Sequence, residues 1–253
     1  MTLLNHKMLG EGEPLVILHG LFGSLDNWMT LGKKWAEDRQ VILVDQRNHG
    51  QSFHADEFNY SVMAKDLQKL LSHLKITKAT ILGHSMGGKT AMQFAIQYPE
   101  KVEKLIVADI GPKFYPVHHQ TILKGFYSVP VNEIKSRNEA DDILSKQITD
   151  FGIRQFLLKN LARDKSGFSW KMNLDVIAKN IEEVGKALNQ NATFEKPTLF
   201  VRGGNSDYIT NDDANMIHSI FTNSQLETID GAGHWLHAEK PDEFFELINS
   251  FLN

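Results

Sequence analysis

Three short segments carry residues whose types and spacing suit one reaction. Gly83-His84-Ser85-Met86-Gly87-Gly88 fits G-x-S-x-G, between an apolar run and a helical pattern. A serine hydroxyl becomes a nucleophile when a base takes its proton and a tight turn lifts it clear of its neighbours. Small residues two before and two after it leave room for that turn. The helix start behind it offers free backbone N–H groups to an anion. His19-Gly20-Leu21-Phe22-Gly23-Ser24 is a glycine-rich loop able to set the Leu21 N–H opposite the Met86 N–H. Two such donors would form an oxyanion hole, where losing one donor typically costs about 100–1000-fold in rate. Asp230-Gly231-Ala232-Gly233-His234-Trp235 places a histidine on a flexible late loop, where it reads as the general base for Ser85. The chain order, serine first, histidine last and acids between, agrees.

Two aspartates could orient that histidine and stabilise its cationic form. Asp109 ends the apolar run Leu105-Ile106-Val107-Ala108, and Asp207 lies in the turn-rich Gly204-Asn205-Ser206-Asp207-Tyr208-Ile209. The residues themselves leave both open. His19 and the other histidines, including His49, His84, His118, His119, His218 and His237, read as structural, with His84 and His49 close enough by motif to shape the site. Asp45 reads as structural too, paired with nearby Arg47.

The elements that must position these groups are legible as alternating runs. Leu15–Gly20, Val41–Asp45, Ala79–Gly83, Leu105–Asp109 and Thr198–Gly203 are short apolar or β-branched runs ending in glycine or aspartate, the pattern of parallel strands buried on both faces. Leu226 and Ile229 mark a further late strand. Helical patterns between the runs predict a mostly parallel, doubly wound α/β sheet. Ser61 is the expected cap of a helix carrying Met63, Leu67, Leu70, Leu71 and Leu74. A second helix is expected over Met86–Tyr98, and a last one from Pro241, with Asp242 and Glu243 in its first turn. Between about residues 111 and 196 no strand pattern is found, only polar, helix-like sequence with scattered aromatics. The expected organisation is therefore a core of residues 1–110 and 197–253, with 111–196 inserted as a helical cap.

Composition narrows the field. The chain has 253 residues and a formal charge of -4, with no basic stripe that would suit nucleic acid. It has no cysteine, so a disulfide framework, a thiolate metal site and a cysteine nucleophile are excluded. No metal site is expected, since no paired histidines have ligand spacing on a helix. No apolar run approaches the ~18–20 residues of a membrane span, and the N-terminus lacks a signal-peptide pattern. A cytoplasmic location is the default. No G-x-G-x-x-G follows a strand, so a nucleotide fold is disfavoured.

From near its start to its end the chain resembles an α/β-hydrolase. The three motifs above, together with Asp45-Gln46-Arg47-Asn48-His49-Gly50 and the extension Leu236-His237-Ala238-Glu239-Lys240-Pro241, resemble a narrower group: the bacterial YbfF-type esterases and their mitochondrial abhydrolase-domain relatives. The resemblance implies a cofactor-free serine esterase or thioesterase acting on small or acyl-CoA-like esters. It also favours Asp109 over Asp207 as the acid. The cap would wall the pocket, with Phe114, Tyr115, Phe168 and Trp170 as candidates beside Phe22 and Trp235 of the core. Other chemistry on the same triad, C–C bond hydrolysis or perhydrolysis, is an alternative, as is a small-molecule receptor that kept the fold. Aspartate-nucleophile dehalogenases and epoxide hydrolases are disfavoured because position 85 is serine. Oligomeric state is not legible.

Overall fold

A computed structural model describes residues 2–165 and 167–253. Along the chain run β1 (His6–Leu9), β2 (Glu13–Leu18), α1 (Met29–Trp35), β3 (Arg39–Val44), α2 (Tyr60–His73), β4 (Ala79–His84), α3 (Met86–Gln97) and β5 (Val102–Ala108). Then come α4 (Gln120–Ser128), α5 (Arg137–Ser145), α6 (Phe151–Leu158), β6 (Leu161–Asp164), β7 (Gly167–Trp170), α7 (Leu174–Lys179) and α8 (Ile181–Gly185). The chain closes with β8 (Thr198–Gly203), α9 (Ala214–Ile220), β9 (Ser224–Ile229), α10 (Leu236–Glu239) and α11 (Pro241–Leu252).

Seven strands form one sheet in the order β1-β3-β2-β4-β5-β8-β9. Only β1 runs antiparallel; the other five pairings are parallel. The alternation of side chains along a strand sorts the core into two layers. On β2, Val16 and Leu18 face the layer that includes Met63, Leu67 and Met92 of α2 and α3. Leu15 and Ile17 face the opposite layer, with Trp35 of α1 and Phe244 and Ile248 of α11. Coverage on both faces explains why β4 is buried along its whole length and reads as an unbroken apolar run.

From β2 the chain moves one way to β3 and then back across to β4. The order reverses between β2 and β4, and open α/β sheets bind ligands outside the carboxyl ends of the strands at such a switch. The loops leaving those two ends carry His19–Ser24 and Ser85.

Local expectations fare unevenly. The last helix starts at Pro241 as predicted. The cap of α2 is Asn59 rather than Ser61: Asn59 is extended, and its side chain accepts the Val62 N–H at 3.0 Å, while Ser61 lies inside the first turn. β1 escapes the sequence reading because a four-residue edge strand with its middle exposed shows no apolar run. In the stretch between β5 and β8, β6 and β7 form an antiparallel hairpin pairing Leu161 with Trp170 and Asp164 with Gly167. Four residues per strand are too few for a periodic signal, so the all-helical expectation for that stretch needs this correction. Among the described residues no helix is long and apolar enough to cross a membrane.

Candidate active site

Ser85 joins β4 to α3 at φ +53° and ψ -120°, a conformation that non-glycine residues rarely adopt. The turn exists because its flanks are bare. A Cβ on Gly83 would lie 2.2 Å from the Gly87 carbonyl oxygen, and one on Gly87 would lie 2.4 Å from that of Leu18. Backbone bonds fix the serine: its N–H donates to Ala108 O at 3.0 Å and its carbonyl accepts the Lys89 N–H at 3.0 Å.

Asp109 follows β5, fully buried, at φ +49°. Its Oδ2 accepts from His234 Nδ1 at 2.8 Å and from the Ser206 hydroxyl, and its Oδ1 accepts the Gly203 N–H at 3.0 Å. A carboxylate can only accept, so the His234 proton sits on Nδ1, leaving Nε2 as a bare lone pair. Asp207 is exposed. The two candidate acids are thus separated: the loop after β8 turns Ser206 inward to Asp109 and leaves its neighbour facing solvent.

The imidazole is held on its face as well. Tyr208 stacks on His234 with centroids 3.9 Å apart and planes 15° apart. The Tyr208 hydroxyl donates to His118 Nε2 at 2.7 Å, and the Tyr208 carbonyl accepts from the Tyr115 hydroxyl at 2.6 Å. Beneath, His84 Nε2 donates to the His234 carbonyl at 2.8 Å. Burial pushes the His84 pKa well down, with the neighbouring His237 and His234 adding to the effect, so the ring stays neutral. His237 stacks on Trp28 at 4.3 Å, and burial pushes it down to about 3.

Leu21 and Met86 share a small cleft of about 20 Å³ with Ser85. Met86 is the first residue of α3, where a helix leaves its N–H groups without internal partners. Gly20 lets the two loops meet, since a Cβ there would lie 3.0 Å from His84 Nδ1 and 3.3 Å from Ser85 Cβ. His19 is a strut: its Nε2 accepts the Gln46 N–H at 3.0 Å and its Nδ1 donates to Gly20 O at 2.8 Å. The expected Asp45–Arg47 pair is not formed. Asp45 accepts from the Leu25 and Gln51 N–H groups at 2.7 and 2.9 Å, while Arg47 pairs with buried Asp66 at 2.6 Å.

Ser85 and His234 line one cavity of about 310 Å³. Of the expected pocket residues, Phe22 and Trp235 line it, and Tyr115 lines the smaller cleft. The other three do not line either space. Phe114 is 60% exposed, Phe168 is buried beneath the Arg163 guanidinium, and Trp170 meets Phe126 edge-on at 4.9 Å. Phe126 in turn contacts Phe22 at 5.1 Å, which puts Trp170 one layer behind the wall. The apolar wall from the stretch between β5 and β8 comprises Ile122 of α4 and Ile153, Phe156 and Leu157 of α6. The α6 trio is spaced as one helix face, a readable signal, but its target was not. Ser206 and Tyr208 also escaped the sequence reading, though both flank Asp207. Among the described residues no group of three or more His, Cys, Asp or Glu is arranged to hold a metal ion.

A family described as alpha/beta hydrolase fold matches residues 13–241. The chain is 40% identical over 246 residues to mouse (Mus musculus) sn-1-specific diacylglycerol lipase ABHD11, covering 94% of this chain and 80% of that protein. It is 36% identical over 244 residues to esterase YbfF of Escherichia coli, covering 96% and 94%. A solved structure titled marine microorganism esterase superposes with a TM-score of 0.96 at 43% identity, covering 99% of this chain and 100% of that one.

Proposed function

The chain belongs to the α/β-hydrolase fold family, in the group of YbfF-type esterases and their abhydrolase-domain relatives, and from that premise we propose that it is a serine hydrolase of carboxylic esters or acyl thioesters. The observation that carries the reading is the Asp109–His234 hydrogen bond of 2.8 Å, facing the same cavity as a serine on a strained, glycine-flanked turn. The relatives named as esterases and a lipase support an ester bond as the one cleaved.

The reaction runs as follows. His234 Nε2 takes the Ser85 hydroxyl proton as the oxygen attacks the carbonyl carbon, and Asp109 stabilises the imidazolium that forms. The carbonyl oxygen becomes an oxyanion held by the Leu21 and Met86 N–H groups. Collapse expels the alcohol or thiol, which takes the proton from His234. Water, deprotonated by His234, then cleaves the acyl-Ser85 ester, and the proton returns to serine. The stretch 111–196 serves as the cap, and its Ile122, Ile153, Phe156 and Leu157 give the acyl group an apolar seat.

The test is covalent labelling with a fluorophosphonate, beside turnover of a panel of simple esters and acyl-CoA thioesters. Wild type should label at Ser85, and Ser85→Ala should fold but neither label nor turn over. Failure of the wild type to label would favour a receptor that kept the fold. Near wild-type turnover by Ser85→Ala would remove the nucleophile assignment.

A further inference from the structure

Phe22 sits beside Leu21 in the loop after β2, at φ +58°, a backbone region that L-residues other than glycine rarely adopt. Such a conformation persists where its surroundings hold it. Here both polar groups of the residue are held, from opposite sides. The Phe22 N–H donates to His49 Nε2 at 3.2 Å, and the Phe22 carbonyl accepts from Asn160 Nδ2 at 2.7 Å. His49 belongs to the loop after β3; Asn160 lies between α6 and β6 in the inserted segment.

Neither partner is a casual contact. His49 is fully buried and its Nδ1 donates to Arg47 O at 3.0 Å, which fixes the tautomer and presents Nε2 as an acceptor. Asn160 is 2% exposed. Its N–H donates to Leu157 O at 3.0 Å and its carbonyl accepts the Lys171 N–H at 2.8 Å, so its position is dictated by α6 and the hairpin. Arg137 braces the same corner by donating to the carbonyls of Leu158 and Leu161. A second seam runs alongside, where the Asn173 N–H donates to Asn48 O at 2.9 Å.

We propose that His49 and Asn160 are positioning residues that set the oxyanion loop by gripping Phe22 from both sides, so that docking of the segment 111–196 on the core completes the oxyanion hole. The inference rests on the serine-hydrolase reading above. The segment then does two things: it walls the acyl seat, and through Asn160 it aims the Leu21 N–H. Rate thereby becomes conditional on the docked segment even for an acyl group too small to reach its apolar wall.

The test uses p-nitrophenyl acetate, which barely needs that wall, and a trifluoromethyl ketone, whose serine adduct carries an oxyanion. In Asn160→Leu, kcat should fall about 10- to 100-fold, short of the about 100–1000-fold cost of losing an oxyanion donor outright. KM should change little, and the ketone's Ki should rise by the factor that kcat falls. His49→Leu should behave likewise, and His49→Gln, whose Oε1 can accept the Phe22 N–H, should recover most of the loss. A merely structural role would lower the melting temperature or raise KM and leave the Ki unmoved. Wild-type kcat and Ki in Asn160→Leu, or equal losses in His49→Leu and His49→Gln, would overturn the grip. If Asn160→Leu fails to fold, the His49 pair decides. Ser85→Ala is run beside them: activity surviving there would overturn the hydrolase reading itself, whereas its loss beside unimpaired Asn160→Leu overturns the grip alone.

Discussion

At Ser85, Phe22 and Asp109 the backbone adopts positive φ without glycine, and all three residues lie at the carboxyl ends of β2, β4 and β5. Asn48 and Lys75 share the conformation, so such backbone is concentrated at this edge of the sheet without being confined to it. Asp109 is fully buried and engages His234, Ser206 and the Gly203 N–H together. Asp109→Asn keeps the shape but can offer an N–H where His234 needs an acceptor, favouring the wrong tautomer. The matching change in a well-studied serine protease costs about 10,000-fold in turnover, and a loss of that order is expected here. Asp207→Asn, at an exposed position, should stay within about twofold of wild type, the range expected where no buried group loses a partner. Steady-state kinetics on both variants checks the pair, and the reverse ranking would transfer the role to Asp207.

At the scale of elements, α3 does more than present Ser85. Its Lys89 is wholly buried, and its ammonium donates to the carbonyl of Lys113, shortly after β5, and to those of Gly185 and Lys186, at the end of α8. The rings of Tyr115 and Tyr60 lie 4.9 and 5.7 Å from the same nitrogen. One side chain on α3 therefore ties together the start and the later part of the stretch between β5 and β8. Lys89→Met keeps the length and removes the donors, leaving carbonyls unpaired at about 1–3 kcal/mol for each that water cannot reach. A drop in melting temperature is expected, at about 2–4 °C per kcal/mol for a chain of this size, with cleavage within residues 111–196 under limited proteolysis. Unchanged melting and unchanged protease resistance would show that the tie carries no stability.

Over the whole molecule, the histidines give stability a pH dependence. Burial pushes His49 and His237 down to about 3 and His119 to about 4, and lowers His19 and His84 as well. In the unfolded chain each titrates near 6.5. Between those values the unfolded state binds protons that the folded state refuses, so stability falls as pH drops below about 6.5 and continues to fall toward the folded values. Each such histidine contributes at most about 1.4 kcal/mol per pH unit in that window. With five such histidines, and about 2–4 °C per kcal/mol, melting should therefore fall by about ten degrees or more between pH 7 and pH 5. His237→Phe, which keeps an aromatic ring against Trp28, should make the slope shallower. A melting temperature flat over that range would contradict the buried, neutral assignment.

What the sequence determined by itself is whatever follows from local rules. Short β-branched apolar runs that end in glycine or aspartate have the length and flanks of strands covered on both faces, and β2 to β5 and β8 lie where those runs are. Glycines two before and two after Ser85 mark a turn that tolerates no Cβ, a steric fact written within five residues. β1 leaves no such mark because its half-exposed residues become a strand only beside β3, and β6 and β7 leave none because four residues are too few for a period to show. Which aspartate meets His234 is likewise decided by tertiary structure. Asp109 and His234 meet across 125 residues because the sheet order β5-β8-β9 puts the strand that leads into His234 two places from β5, while Asp207, in the loop that leaves β8, faces outward. The cavity wall was decided there too. A helix face spaced like Ile153, Phe156 and Leu157 announces that it will be buried, but only the docking of α6 over the sheet's carboxyl edge says against what.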